Sequence, residues 1–252
     1  MLDIFRPDRG AVSVFGGPMC EEKKRRFGYM PEERGLYQSV SLERCLLYLA
    51  TLKGMPTPEA RRRLEIYLEH FDLVQYRQKK VKTLSKGMQQ KAQIISTILH
   101  QPELLVIDEP FAALDPVNTE LVKRLLRELR DRGTAILMST HQMHHAEALC
   151  DRIVLIHRGR NVLYGSVDEI RRRFAGDTLL VRARGGLPPL TGVRRIASRD
   201  GTSELSLEPE TRPPDVLRAL VAHNVDVEQF EIAMPGLNEI FIRVVRDGGS
   251  DV

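Results

Sequence analysis

The chain has 252 residues, 42% hydrophobic and 29% charged, with a formal net charge of +4. That length and balance suit one large globular domain, or one with a small appendage, and exclude wholesale disorder. Also excluded are a bilayer-spanning apolar run of roughly 20 residues, a secretory signal at Met1-Leu2-Asp3-Ile4-Phe5-Arg6-Pro7, and a disulfide or zinc framework from the widely spaced Cys20, Cys45 and Cys150.

In chain order, a Pro-Asp-Arg-Gly turn at 7–10 leads into a short β-rich stretch, Ala11 to Phe15. Arg26 to Met30 predicts a second strand, stopped by Pro31. Ser41 to Leu52 and Pro58 to Phe71 carry apolar residues at helical spacing: Leu42, Cys45, Leu46 and Leu49, then Leu64, Tyr67, Leu68 and Phe71. Gly87 to Leu99 is a further amphipathic helix, ended by His100-Gln101-Pro102. Leu104 to Ile107 reads as a buried parallel strand, Glu120 to Arg132 as a helix closed by Gly133, and Ala135 to Met138 as another buried strand.

Met143 to Cys150 follows as a helix and Ile153 to His157 as a strand, with a hairpin turn at Arg158 to Asn161 leading into Val162 to Tyr164. This alternation predicts an α/β layer with a parallel sheet. Beyond about Phe174 to Asp177 the character changes. Pro- and Gly-rich breaks at 185–189 and 212–214 separate short strands around one helix, Asp215 to His223. A final strand is expected at Glu239 to Val245 and a frayed tail at Gly248 to Val252. The basic runs Lys23 to Arg26, Arg61 to Arg63, Arg77 to Lys82 and Arg171 to Arg173 lack stacking aromatics and mostly have acids between them, so solvated helix faces are expected rather than a nucleic-acid surface.

Chemistry concentrates in the middle of the chain. Asp108 and Glu109 leave the C-terminal end of a predicted strand, where open α/β sheets place ligands. If phosphates bind there, Asp108 would hold Mg²⁺ and Glu109 would orient the attacking water. Taken alone, the pair is equally an acidic turn after a core strand. Upstream, Ser85 can cap the helix that follows, and Gly87 lets backbone approach a phosphate at its positive end; an ordinary capped helix has the same pattern. Downstream lie Ala113-Leu114-Asp115 and, after the next strand, Ser139-Thr140-His141.

In this order and spacing the segments resemble the ABC ATPase family. Leu84 to Gln89 is similar to its LSGGQ signature, Leu104 to Glu109 to Walker B with the catalytic glutamate, Ala113 to Asp115 to the D-loop, and His141 to the switch histidine. Phe27 to Tyr37 resembles the Q-loop region of drug- or sodium-type exporter subunits, with Glu32 where other branches carry Gln. The resemblance implies a P-loop NTPase core with a helical subdomain at about 38–100, together making 1–174. It also implies a C-terminal α+β accessory domain at 175–252, closed by the pattern Pro235 to Phe241.

The same resemblance implies ATP and Mg²⁺ as ligands. Glu109 and His141 would be catalytic, Ser85, Gly87, Glu32, Asp108 and Asp115 would contact nucleotide, and Asp108 and Glu32 would contact the metal. The implied partners are a transmembrane permease and a second ATPase subunit, in a homo- or heterodimer at the cytoplasmic face of the membrane, with no nucleic acid. Lys86 and Met88 depart from the signature. A larger departure is that no G-x-x-x-x-G-K-[ST] run and no Gly-Lys dipeptide occurs. Met1 to Gly10 resembles the end of the helix after such a loop, and the adenine-stacking aromatic is missing too. The expectation is therefore a core lacking its N-terminal strands and P-loop through truncation, inactive alone. The alternative is a catalytically incomplete regulatory subunit that lends Ser85, Gly87 and Asp115 to a partner's ATP.

Overall fold

The computed structural model describes residues 7–33, 35–175, 178–199, 201–208 and 210–246. They divide into two compact units, 1–141 and 142–252. The expected tail at 248–252 lies outside the described residues, as do residues 1–6 of the expected helix end; 8–10 are bends.

The first unit runs through α1 (Glu21–Arg25), β1 (Phe27–Met30), α2 (Leu42–Leu52), α3 (Thr57–His70), α4 (Lys86–Ile98), β2 (Leu104–Asp108), α5 (Pro116–Asp131) and β3 (Ala135–Ser139). The strands form a parallel sheet in the order β1-β2-β3. Its register sets Met30 beside Ile107 and Ile107 beside Met138, so the three C-terminal ends finish level. Parallel neighbours cannot be joined by a tight turn, and the intervening helices carry the chain back. Gly28 lets α4 approach β1 closely. A Cβ there would lie 2.7 Å from the carbonyl oxygen of Thr97 and 3.0 Å from both Leu105 and Pro102. Leu42, Leu46, Leu64, Leu68, Leu73 and Ile95 are each 1% exposed or less and form the interior of the helical block.

Four expectations for this unit change. Ala11 to Phe15 is not a strand: Phe15 and Gly16 have positive φ, and Val14 pairs with Gly17 in a tight reversal, so the chain turns back before a strand extends. The basic run at Lys23, by contrast, lies on a short helix, α1, with no buried residue, as expected. β2 is buried on alternate residues, Leu105 and Ile107, rather than throughout. β3 is not buried, with Leu137 43% exposed, because it ends the described sheet order and packs on one side only. α5 begins at Pro116 rather than Glu120. Asp115 accepts from the Asn118 N–H as its cap, and proline is pre-set for the first helical position.

The second unit contains α6 (Met143–Leu149), β4 (Arg152–His157), β5 (Arg160–Ser166), α7 (Val167–Arg173), β6 (Thr178–Arg184), β7 (Val193–Arg199), β8 (Thr202–Leu207), α8 (Pro213–Ala222), β9 (Asp226–Ile232) and α9 (Leu237–Arg246). β4 and β5 form an antiparallel hairpin whose turn is tighter than the expected 158–161. Arg158 and Gly159 both take positive φ, as a two-residue turn that matches strand twist requires. A four-stranded antiparallel sheet has the order β7-β8-β6-β9. Leu179, Val181, Leu205 and Leu207 cluster there with Val216 and Leu220 of α8.

The final strand expected at Glu239 to Val245 is a helix, α9. Its β-branched run suggested extension, but Leu237, Ile240 and Val244 recur at helical spacing and bury one face beside Ala146, Leu163 and Ile170. Burial at that period outweighs the intrinsic strand preference of isoleucine and valine. Two helices therefore accompany the strands of this region, where one was expected.

Candidate functional site

The level ends of β1, β2 and β3 bring together residues separated by more than a hundred positions. Glu109 is the first residue after β2. Its φ of 45 places it in the left-handed region, which turns its side chain out of the strand's alternation. Its N–H donates to the carbonyl of Ser139 at 3.1 Å, anchoring the turn to β3. The residue is 7% exposed, and burying a carboxylate requires donors. They come from the segment after β3. His141 N–H donates to Oε1 at 2.6 Å, His141 Nδ1 lies 2.7 Å from the same oxygen, and Thr140 Oγ1 donates to Oε2 at 3.2 Å. The His141 side chain is 80% exposed, so the pair joins a buried carboxylate to an imidazole at the surface.

Asp108, one residue earlier and half-buried, accepts from the Ser139 hydroxyl. Adjacent carboxylates on one chain would repel if they faced the same way. Here each is held by different residues of the 139–141 segment, Asp108 by Ser139 and Glu109 by Thr140 and His141. Among the described residues no three His, Cys, Asp or Glu side chains group to cage a metal. Glu32 is exposed two residues after β1 and leaves the same edge, since Pro31 follows Met30 at the level of Asp108.

The other predicted residues sit at two helix N-termini. Ser85 caps α4, its hydroxyl accepting from Met88 N–H at 3.2 Å. A Cβ on Gly87 would lie 3.0 Å from the carbonyl oxygen of Ala113, so the glycine at this place admits the 113–115 turn. Asp115 caps α5; the Asn118 N–H, then the Asn118 amide side chain, hold its carboxyl below the usual range. Asn118 also accepts from Lys91 of α4 at 3.2 Å, tying the two helix starts together.

Sequence reasoning passed over Asn118, Gln90 and Gln93. Gln90 Nε2 donates to the carbonyls of Glu109 and Pro110 at 3.2 and 3.1 Å. Gln93 Nε2 donates to those of Pro31 and Glu33 at 2.7 and 3.3 Å. Both are buried. The signal was present: two glutamines three residues apart, next to the apolar stripe Ile94, Ile95 and Ile98, mark a face too polar for ordinary packing.

Two family models match the chain: ABC transporter over residues 1–112, and ATP-binding protein DrrA1-3-like, C-terminal domain, over residues 165–245. An uncharacterised ABC transporter ATP-binding protein of Alkalihalophilus pseudofirmus is 37% identical over 248 residues, covering 97% of this chain and 92% of its own. Another, YhaQ of Bacillus subtilis, is 38% identical over 97% of this chain and 83% of its own. The daunorubicin resistance ATP-binding protein DrrA3 of Streptomyces coeruleorubidus is 29% identical over 97% and 81%. A solved ATP-binding subunit of an ABC transporter superposes with a TM-score of 0.63 at 37% identity, over 69% of this chain and 73% of that one. The carboxylate edge, the capped signature-like helix and these likenesses agree: the chain belongs to the ABC transporter family and is an ATP-binding subunit of it.

Proposed function

We propose that this subunit couples ATP hydrolysis to export through a membrane permease, with the chemistry divided among the residues at the sheet edge. Glu109 accepts the proton of the attacking water or orients it. Its buried, triply held carboxylate is the observation that carries this reading, because a general base must be fixed within reach of the proton it takes. His141, exposed while its Nδ1 is engaged by Glu109, presents the rest of its ring to the γ-phosphate. Asp108, with Glu32 on the same edge, holds Mg²⁺. When bound, that ion neutralises charge between the β- and γ-phosphates.

Ser85, Gly87 and Asp115 face the ATP of a second subunit, homologous or identical, across a dimer at the cytoplasmic side of the membrane. The helix start at Ser85 offers N–H groups and a positive dipole end to that nucleotide. Export rather than import is supported by the drug-resistance protein among the relatives and by the match to a DrrA-like C-terminal domain. We place that accessory domain at 175–252.

These 252 residues contain no Gly-x-x-x-x-Gly-Lys run, the element that grips β- and γ-phosphates with backbone N–H groups and a lysine. The purified chain alone is accordingly expected to release no phosphate from ATP above background. In a form of the chain that also carries such a run, assembled with its permease and ATPase partner, Glu109→Gln is expected to lower turnover at least about a hundredfold while ATP stays bound. Wild-type phosphate release by the Glu109→Gln assembly would remove Glu109 from its role.

A further inference from the structure

One face of α4 touches, in order, the turns that carry Asp115, Glu109 and Glu32. Gly87, Gln90, Gln93 and Thr97 are spaced by three, three and four, which aligns them along about 15 Å of helix. Gly87 lies against Ala113 of the Asp115 turn. Gln90 holds the carbonyls of Glu109 and Pro110, and Gln93 those of Pro31 and Glu33, on either side of Glu32. Thr97 presents its carbonyl to Gly28 of β1 and donates its hydroxyl to the Gln93 carbonyl at 2.8 Å.

Gln93 is the informative member. It is 3% exposed, and its Oε1 is buried without a hydrogen-bond partner. A leucine would pack that volume without stranding an acceptor, and a half-satisfied buried amide costs stability. What glutamine adds is its Nε2, which forks two carbonyls that bracket one residue. Such a fork fixes the loop on both sides of Glu32 and ties it to the helix that begins at Ser85.

We infer that Gln93 is a positioning residue that binds the Glu32 loop to the signature helix, so that the Ser85 end of α4 and the Glu32 loop move as one piece during turnover. This rests on the reading of Glu32 and Ser85 given above and extends it to a residue that touches neither nucleotide nor metal. Loss of the fork frees the loop without removing a nucleotide contact, so it lowers kcat and leaves KM for ATP nearly unchanged.

The test has a structural and a kinetic arm. Amide hydrogen exchange of the 31–36 segment is followed in the full chain as wild type, Gln93→Leu and Gln93→Glu, corrected for intrinsic rates. Gln93→Leu is expected to exchange about tenfold faster there, with other segments unchanged. The carboxyl of Gln93→Glu faces two carbonyls in a buried place that favours its protonated form. At about pH 5 that form donates and the loop stays closed; at about pH 8 the carboxylate opens it. This comparison within one folded protein remains decisive if Gln93→Leu does not fold. Wild-type exchange in Gln93→Glu at both pH values overturns the tie.

In the assembled transporter, Gln93→Leu or Gln93→Glu at pH 8 is expected to lower kcat about tenfold with KM for ATP within about twofold. An opened loop with unchanged kcat overturns the positioning role. Full turnover by Glu109→Gln would instead remove the catalytic reading while leaving the exchange result intact, so the two failures are distinguishable.

Discussion

The two units bury different kinds of atoms. Along α4 of the first, Gln89, Gln90, Gln93 and Thr97 are each 7% exposed or less, and Glu109 is buried beside them. In the second, the layer between the antiparallel sheet and α8 is Leu179, Val181, Leu205, Leu207, Val216 and Leu220. Its charged pairs, such as Arg184 with Glu228 at 2.7 Å, lie outside on side chains 75% and 38% exposed. The contrast follows from backbone accounting. Hairpin neighbours satisfy one another's N–H and C=O groups, so the second unit's interior is mostly apolar, with Ser203 and His145 as its buried polar residues among those described. In the first, turns after parallel strands leave carbonyls at 31, 33, 109 and 110 with no ladder to join, and side-chain donors reach them.

The largest effect that sharpens this comparison lies in the apolar layer. Leu179→Ala is expected to destabilise the second unit by about 2–5 kcal/mol, from lost transfer energy and the cavity left behind. Urea unfolding followed by circular dichroism measures it; a shift under about 1 kcal/mol would show that the layer is not a shared core.

The first unit should respond to protons instead. Phe27's carbonyl, at the start of β1, accepts from Lys53 Nζ at 2.8 Å and lies 3.2 Å from His100 Nε2. Burial, and then the Lys53 charge, push the His100 pKa down to about 4 from 6.5. Between those values the unfolded chain takes up a proton that the folded chain refuses. Stability is therefore full above about pH 6.5 and falls as pH drops towards 4, by about 3 kcal/mol in all. His100→Gln, which keeps a donor for the Phe27 carbonyl, is expected to flatten that slope in urea titrations at pH 4.5 and 7. An unchanged slope would place the acid sensitivity elsewhere.

Much of this architecture was legible because it depends on local rules. The helices at Leu42 and Lys86 follow from their caps and apolar spacing, the body of α5 from Glu120 onward from its spacing though not its start at Pro116, and the carboxylate edge from an apolar run ending in Asp108-Glu109. What was not legible depends on partners distant in sequence. α9 looked extended until its apolar residues were seen to bury one face against Ala146 and Leu163. β3 looked buried from composition, yet burial is set by how many neighbours a strand has, and composition is silent on that. Glu109 was identifiable as a residue, but its three donors come from about thirty positions later, and nothing in the local sequence shows that His141 would supply two of them. Gln90 and Gln93 were overlooked because a polar residue in a helix reads as a solvated one unless its whole face is traced.

The smallest expected effect tests whether the second unit's polar bonds matter only at its periphery. Ser166 caps α7 reciprocally: its hydroxyl accepts from Glu169 N–H at 3.1 Å, and its own N–H donates to Glu169 Oε2 at 3.0 Å. The backbone bond from Ser166, and then its hydroxyl, hold the Glu169 carboxyl below its ordinary range. A depressed carboxyl stabilises the fold above its unfolded pKa, and that contribution is lost as pH falls through the folded value. Ser166→Ala removes the hydroxyl but keeps the N–H, so it is expected to cost about 1 kcal/mol at neutral pH and to leave part of the acid dependence in place. Glu169→Ala should abolish that dependence. If Ser166→Ala instead destabilised the unit as much as Leu179→Ala, measured in the same urea titration, the cap would belong to the interior, and the contrast between the two units would fail at that point.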